Sequence, residues 1–157
     1  EGEVIVRFPG KFAFPSGAES LTTEFLVALN NLATVIEKSA GDIIIAGHTD
    51  DRPIRTARFR SNWDLSAARA NSVVHYLLDF TEVDSSRLAA MGYADSRPLA
   101  PNDSDENRSL NRRVEVIIRK SATPKEKPLE EITGEQPPAE PEQPLEIQPP
   151  PLQTPSQ

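Results

Sequence analysis

The chain has no cysteine among its 157 residues, which excludes disulfides and thiolate metal sites. Two histidines without cysteine argue against a zinc site, and neither a metal nor a cofactor is expected. No apolar run approaches the roughly 20 residues that a bilayer-spanning helix requires. Aromatics are scarce at 6%. Basic charge is not in excess either: 17 Lys and Arg face 24 Asp and Glu, for a net charge of −7. Nucleic-acid binding, which needs a basic stripe on a basic domain, is therefore not expected. There is no initiating methionine and no signal peptide. Because the chain opens on Glu1, it reads as a fragment of a longer protein whose membrane anchor or targeting signal lies elsewhere.

Proline is abundant, and its placement is uneven. Ten of the 15 prolines fall in Ser121–Gln157, with seven glutamates, two lysines and no aromatic residue. That segment carries −5 of the total −7, leaving −2 for Glu1–Lys120. It has no hydrophobic period of either kind and too little apolar surface to offset the entropy of ordering. Residues 121–157 are thus expected to be a disordered, acidic, Pro-rich tail, extended around Pro149–Pro151 and serving as a spacer. A domain is expected over residues 1–120, with residues 1–20 its opening strand and loop.

Within that domain the apolar period alternates between two and 3.6. Val4–Phe8 reads as a strand ended by Pro9-Gly10. Leu21, Phe25, Leu29, Leu32 and Ile36 then form one helical stripe, with Ser20 as its cap, Lys38 in the last turn and Gly41 beyond. Ile43–Ile45 reads as a strand buried on both faces. A polar loop from Arg52 precedes a second helix over Leu65–Phe80, capped by Asp64 or Asn62, with Leu65, Ala68, Val73, Tyr76, Leu77 and Phe80 inward. Leu88–Tyr93 and Val114–Ile118 complete the order β-α-β-α-β-β. The predicted fold class is α/β, an α+β sandwich with helices on one face of a mixed sheet.

Three polar strings stand out. Gly47-His48-Thr49-Asp50 ends a strand, where α/β folds commonly place ligands. Asn62, Leu65, Ser66 and Arg69 lie along the start of the second helix, and Asn111-Arg112-Arg113 leads into the last strand. Arg69, four residues after Leu65, lies at the edge of the apolar stripe, where an unpaired guanidinium is costly. One reading is an Asp50–Arg69 ion pair that stitches strand to helix. The other keeps both groups open for a zwitterion, the guanidinium fork taking a carboxylate and the carboxylate an ammonium. Ser66 near a histidine and an aspartate invites a hydrolase reading, but no Gly-x-Ser-x-Gly elbow is present and no catalytic set is identified. Arg52, Arg55, Arg58 and Arg60 form a second basic cluster, and Trp63 is placed either to stack on a sugar or to cap the helix.

Taken together, GHTDD, SNWDLSAARANSV, GYADSRPLAPND and NRRVEV strongly resemble the OmpA-like peptidoglycan-binding domain. The closer resemblance is to the periplasmic domain of flagellar stator B-subunits, the MotB/PomB type, and covers roughly Val4 to Arg119. It implies a non-enzymatic domain that grips the diaminopimelate of the peptidoglycan stem peptide. Asp50 would take the ammonium and Arg69 the carboxylate, while Thr49, Asn62 and Leu65 line the pocket and Arg112 adds a second basic contact. It further implies a stator A-subunit and a second copy of the chain as partners, and the periplasmic side of a single-pass inner-membrane protein in a Gram-negative bacterium. Of Arg112 and Arg113, one is expected to face the site and the other solvent. Within the same fold the rival expectation is an OmpA/Pal-type anchor tying the outer membrane to the wall.

Overall fold

The computed structural model describes residues 2–120; the predicted Pro-rich tail lies outside the described residues. The strands are β1 (Glu3–Pro9), β2 (Ile43–His48), β3 (Leu88–Gly92) and β4 (Arg113–Arg119). The helices are α1 (Gly10–Ala13), α2 (Thr23–Lys38), α3 (Asn62–Phe80) and α4 (Asp105–Asn111), with a 3-10 turn at Ser85–Arg87. The sheet order is β1-β4-β2-β3, antiparallel between β1 and β4 and between β4 and β2, and parallel between β2 and β3. A mixed four-stranded sheet with helices is the α/β class that the periodicity predicts. No helix among the described residues is long and apolar enough to cross a membrane.

Alternation along the strands decides what the core contains. Ile43, Ile45, Val114, Val116 and Ile118 turn to the helical side, where they meet Phe25, Leu29 and Ile36 of α2 and Ala70, Val73 and Leu77 of α3. β2 is buried along its whole length. At its end Gly47 touches α3 so closely that a Cβ there would lie 2.2 Å from the Ser66 carbonyl oxygen. Gly92 of β3 would place a Cβ 2.5 Å from the Ala67 amide nitrogen. Glycine at both positions lets the start of α3 rest directly on the ends of two strands.

Several local expectations need correction. The cap of α2 is Thr22, whose hydroxyl accepts from the Phe25 amide, not Ser20. The cap of α3 is Ser61, not Asn62 or Asp64, and Asp64 instead binds Arg60. Phe80 is 70% exposed at the end of α3, outside the core cluster, with its ring 5.0 Å from that of Tyr76. The short helices α1 and α4 carry no apolar period that sequence patterning could detect.

Candidate functional site

Antiparallel pairing sets the end of β2 beside the start of β4, with His48 opposite Arg113, and the end of β1 there too, with Pro9 opposite Arg113. The start of α3 closes the same corner through Gly47 and Gly92. A cavity of about 600 Å³ opens between these ends. Its walls include Thr49, Asp50, Asn62, Leu65, Arg69 and Arg112, all six residues singled out in the sequence. Gly10, Lys11, Phe14, Pro15, Ser16, Gly17, Arg52 and Ile54 complete it. Of these, Arg52 was singled out only as part of the loop cluster, and the other seven were not foreseen, since most come from the Pro9–Gly17 turn. What brings them in is the pairing of β1 with β4, which carries that turn to Arg112 through a Gly10 N–H to Arg112 carbonyl bond of 2.8 Å and has no signal in the apolar period.

Asp50 and Arg69 do not pair with each other. Asp50 Oδ2 accepts from Arg112 Nη1 at 2.5 Å, and its Oδ1 accepts from the Arg52 amide at 3.0 Å. A carboxylate offers about four lone-pair sites, so room for further donors remains. Arg69 instead donates through Nε to the Ala18 carbonyl at 2.8 Å and through Nη2 to the Pro15 carbonyl at 3.3 Å, with its guanidinium carbon 4.8 Å from the centre of the Phe14 ring. It is 8% exposed, and no carboxylate among the described residues lies within ion-pair distance of it. Burial lowers its pKa to about 10; the Glu19 carboxylate pulls the other way, and Arg112 pushes it further down. The corner therefore holds a desolvated guanidinium that, among the described residues, has no carboxylate in ion-pair contact.

The remaining walls are polar and oriented. Thr49 donates its hydroxyl to the Asp50 carbonyl at 2.9 Å, and its amide is held by the Ala94 carbonyl at 2.8 Å. Asn62 Nδ2 donates to the Arg52 carbonyl at 2.8 Å, which leaves its Oδ1 as an acceptor. Leu65 supplies an apolar wall at 5% exposure.

Other candidate residues have different surroundings. Ser66 is fully buried, accepts from the Ala94 amide at 3.1 Å and donates to the Trp63 carbonyl at 3.2 Å. It ties α3 to the segment that holds Thr49, and its hydroxyl is committed. Ser66→Ala would strand the Ala94 amide, a loss of about 1–3 kcal/mol. The expected result is a lower urea midpoint with an unchanged slope; an unchanged midpoint would remove Ser66 from this role. His48 faces the opposite side of the sheet, its ring stacked on Tyr93 at 5.2 Å. Arg113 is buried there as well, bonded to Glu115 at 2.7 Å, and not in solvent as the sequence suggested. Trp63 is 53% exposed and lies outside the cavity wall. Among the described residues no group of three His, Cys, Asp or Glu could hold a metal ion.

Three of the four loop arginines are neutralised internally. Arg52 binds Asp105 at 2.5 Å, Arg60 binds Asp64 at 2.9 Å, and Arg58 pairs with Glu19. Only Arg55 has no ion pair among the described residues.

An α/β sandwich with a charged cavity at the ends of its central strands is the arrangement of a ligand-binding module. The chain belongs to the OmpA family, whose sequence pattern matches residues 13–112. It is 34% identical over 116 residues to Motility protein B of Bacillus subtilis, covering 73% of this chain and 44% of that protein. Among solved structures it is similar to a putative MotB-like protein of Desulfovibrio vulgaris, with a TM-score of 0.72, 36% identity, and coverage of 76% of this chain and 77% of that one. It is also similar to the cell wall anchor of the T6SS from Pseudomonas aeruginosa, with a TM-score of 0.71, 39% identity, and coverage of 76% and 82%. The chain spans about half the length of the curated relatives it matches.

Proposed function

We propose that the domain anchors a larger protein to the cell wall by noncovalent binding of peptidoglycan, without catalysis. The observation that carries this reading is Arg69, a buried guanidinium with no carboxylate partner among the described residues, in the wall of the same cavity as Asp50. A buried cation without an anion is costly, and a ligand carboxylate relieves that cost through two parallel bonds. Asp50, Thr49 and Asn62 offer acceptors for an ammonium. A zwitterionic amino-acid end, carrying both charges on one carbon, fits this pair of demands; the free end of diaminopimelate in the stem peptide is the wall component with that chemistry. Ser66 with its hydroxyl committed and His48 on the other sheet face support a binder rather than a hydrolase.

The motility relatives support the finer reading of a flagellar stator B-subunit, held to the wall so that its A-subunit partner works against a fixed point, with the domain in the periplasm and two copies per unit. Residues 1–120 would form the wall-binding domain and 121–157 a spacer.

The test is binding to purified sacculi across salt concentration. A recessed pocket places charges in direct contact, well inside the Debye length of roughly 8 Å at physiological ionic strength, so screening should weaken binding only modestly. Arg58 and Arg60, already paired with carboxylates, should add little. A parent chain and a variant with Arg55, Arg58 and Arg60, which lie outside the cavity wall, changed to Gln should share one shallow salt curve. Steep loss of parent binding at moderate salt, muted in the variant, would refute the pocket.

A further inference from the structure

We infer that the cavity holds a second anionic subsite at Lys11. Through it the domain selects wall peptides that carry a free carboxylate beyond the zwitterionic end over peptides in which that carboxylate is amidated. The inference rests on the proposed peptide binding and deepens it. Charge in the cavity wall is unbalanced: four cations, Lys11, Arg52, Arg69 and Arg112, stand against a single carboxylate, Asp50. Glu1–Lys120 as a whole is net acidic, so the excess belongs to the cavity and not to a basic domain.

Two of the four cations are already met. Arg112 binds Asp50 and Arg52 binds Asp105, each at 2.5 Å. A zwitterionic end would bring one carboxylate to Arg69 and one ammonium to Asp50, and it adds no net charge. Lys11 is then left over, its ammonium without an ion pair or a hydrogen bond among the described residues. A cleft lined by one sign of charge focuses its field and draws ligands of the opposite sign. The ligand that balances this wall therefore carries one carboxylate more than a zwitterion. The space agrees, since a cavity of about 600 Å³ encloses a drug-sized ligand, far more than the end of one amino acid. A stem peptide supplies the extra charge, because its glutamyl residue and its terminal residue each keep a carboxylate outside the chain of amide bonds.

The local sequence fixes Lys11 in place. Ala13 and Phe14 are buried, and the Phe12 ring lies 6.1 Å from that of Phe25. These three residues tie α1 to the core and leave the lysine to the cavity wall. Gly10 donates its N–H to the Arg112 carbonyl at 2.8 Å, and a Cβ on Gly10 would lie 3.0 Å from that oxygen. Without one, the turn rests against Arg112, so Lys11 and Arg112 enter the wall from adjoining backbone. Arg112 gives Asp50 only one of its nitrogens and keeps 30% of its side chain exposed, so its remaining donors can share an anion with Lys11. Both cations only donate, and an amide in place of the carboxylate would bring them no charge and turn donors of its own toward them. Lys11 precedes residues 13–112, which the family pattern matches, so the subsite is a feature of this chain's own opening turn.

The test is calorimetric titration of the full chain with two stem tripeptides. One is alanyl-γ-glutamyl-diaminopimelate as the free acid; the other has its glutamyl α-carboxyl and its main-chain terminal carboxyl converted to amides. Both keep the zwitterionic end. The parent should bind the free acid about fivefold more tightly, the upper end for an exposed charge contact because the partly buried Arg112 shares the anion. Lys11→Gln should lose most of that preference through weaker binding of the free acid alone, while Lys11→Arg, which keeps the charge, should retain it. Unchanged binding of the diamide by Lys11→Gln shows that the rest of the site is intact. Equal affinity of the parent for both peptides overturns the subsite and leaves the zwitterion pocket standing. A preference that survives Lys11→Gln overturns the assignment to Lys11. If the parent binds neither peptide, the proposed function fails together with the subsite.

Discussion

Arg69→Ala is expected to lower sacculus binding by 30-fold or more. A charged group that loses its partner at a desolvated site costs about 2–5 kcal/mol. The side chain also holds the Ala18 and Pro15 carbonyls and covers the Phe14 ring, so part of the effect could be looseness of that turn. Arg69→Lys separates the two contributions. It keeps the charge and much of the aliphatic stem but has no planar fork, and it should restore the melting temperature more fully than the binding. Asp50 needs a different control, because it already holds Arg112. If its role ends there, Asp50→Asn should change nothing in an Arg112→Gln background. If it also receives a ligand ammonium, Asp50→Asn should reduce binding in both backgrounds, a coupling read from the double-mutant cycle. Parent-like binding by a folded Arg69→Ala chain would show that the cavity is not the wall site.

The membership of this cavity was legible because three polar strings had to lie at strand or helix ends, and the order of elements brings such ends together. The pairings within it were not. A helix-edge arginine and a strand-end aspartate suggested an Asp50–Arg69 bridge, whereas the guanidinium that reaches Asp50 is Arg112, one residue before β4. That result depends on β4 lying antiparallel between β1 and β2, a topology that apolar period does not encode. The same placement explains Arg69, whose acceptors are backbone carbonyls of a turn more than fifty residues away. Carbonyl acceptors have no residue-type signature and stay invisible until the chain is folded. Arg113 illustrates a further limit. Strand alternation correctly separates it from Arg112, but the far side of the sheet at that point is a buried ionic cluster rather than solvent.

That cluster should make the fold sensitive to mild acid. His48 is 4% exposed, and neither of its ring nitrogens has a hydrogen-bond partner among the described residues. Its pKa is lowered to about 4, first by burial and then by the positive charge of Arg113, with Arg97 and Arg7 adding to the effect and Glu115 opposing it. Nε2 stands 3.8 Å from Glu115 Oε2, too far for a hydrogen bond. The imidazole is thus neutral when folded, while in the unfolded chain it titrates at its ordinary 6.5. The unfolded state therefore binds more protons as pH falls. The stabilisation is complete above about pH 6.5 and is lost progressively as pH drops toward about 4, a change of roughly 3 kcal/mol. Glu115 adds a loss of the same sign at still lower pH. Burial acts to raise its carboxyl, but hydrogen bonds from Arg113 and Arg7 outweigh that and hold it below the usual range. Urea midpoints should therefore fall steeply between pH 7 and pH 4.5 for the parent chain. His48→Phe, which keeps a ring against Tyr93 without a titrating group, should flatten that part of the curve and leave the decline below pH 4 in place. An equally steep fall in the variant would assign the acid sensitivity to carboxylates elsewhere and leave His48 as a packing residue only.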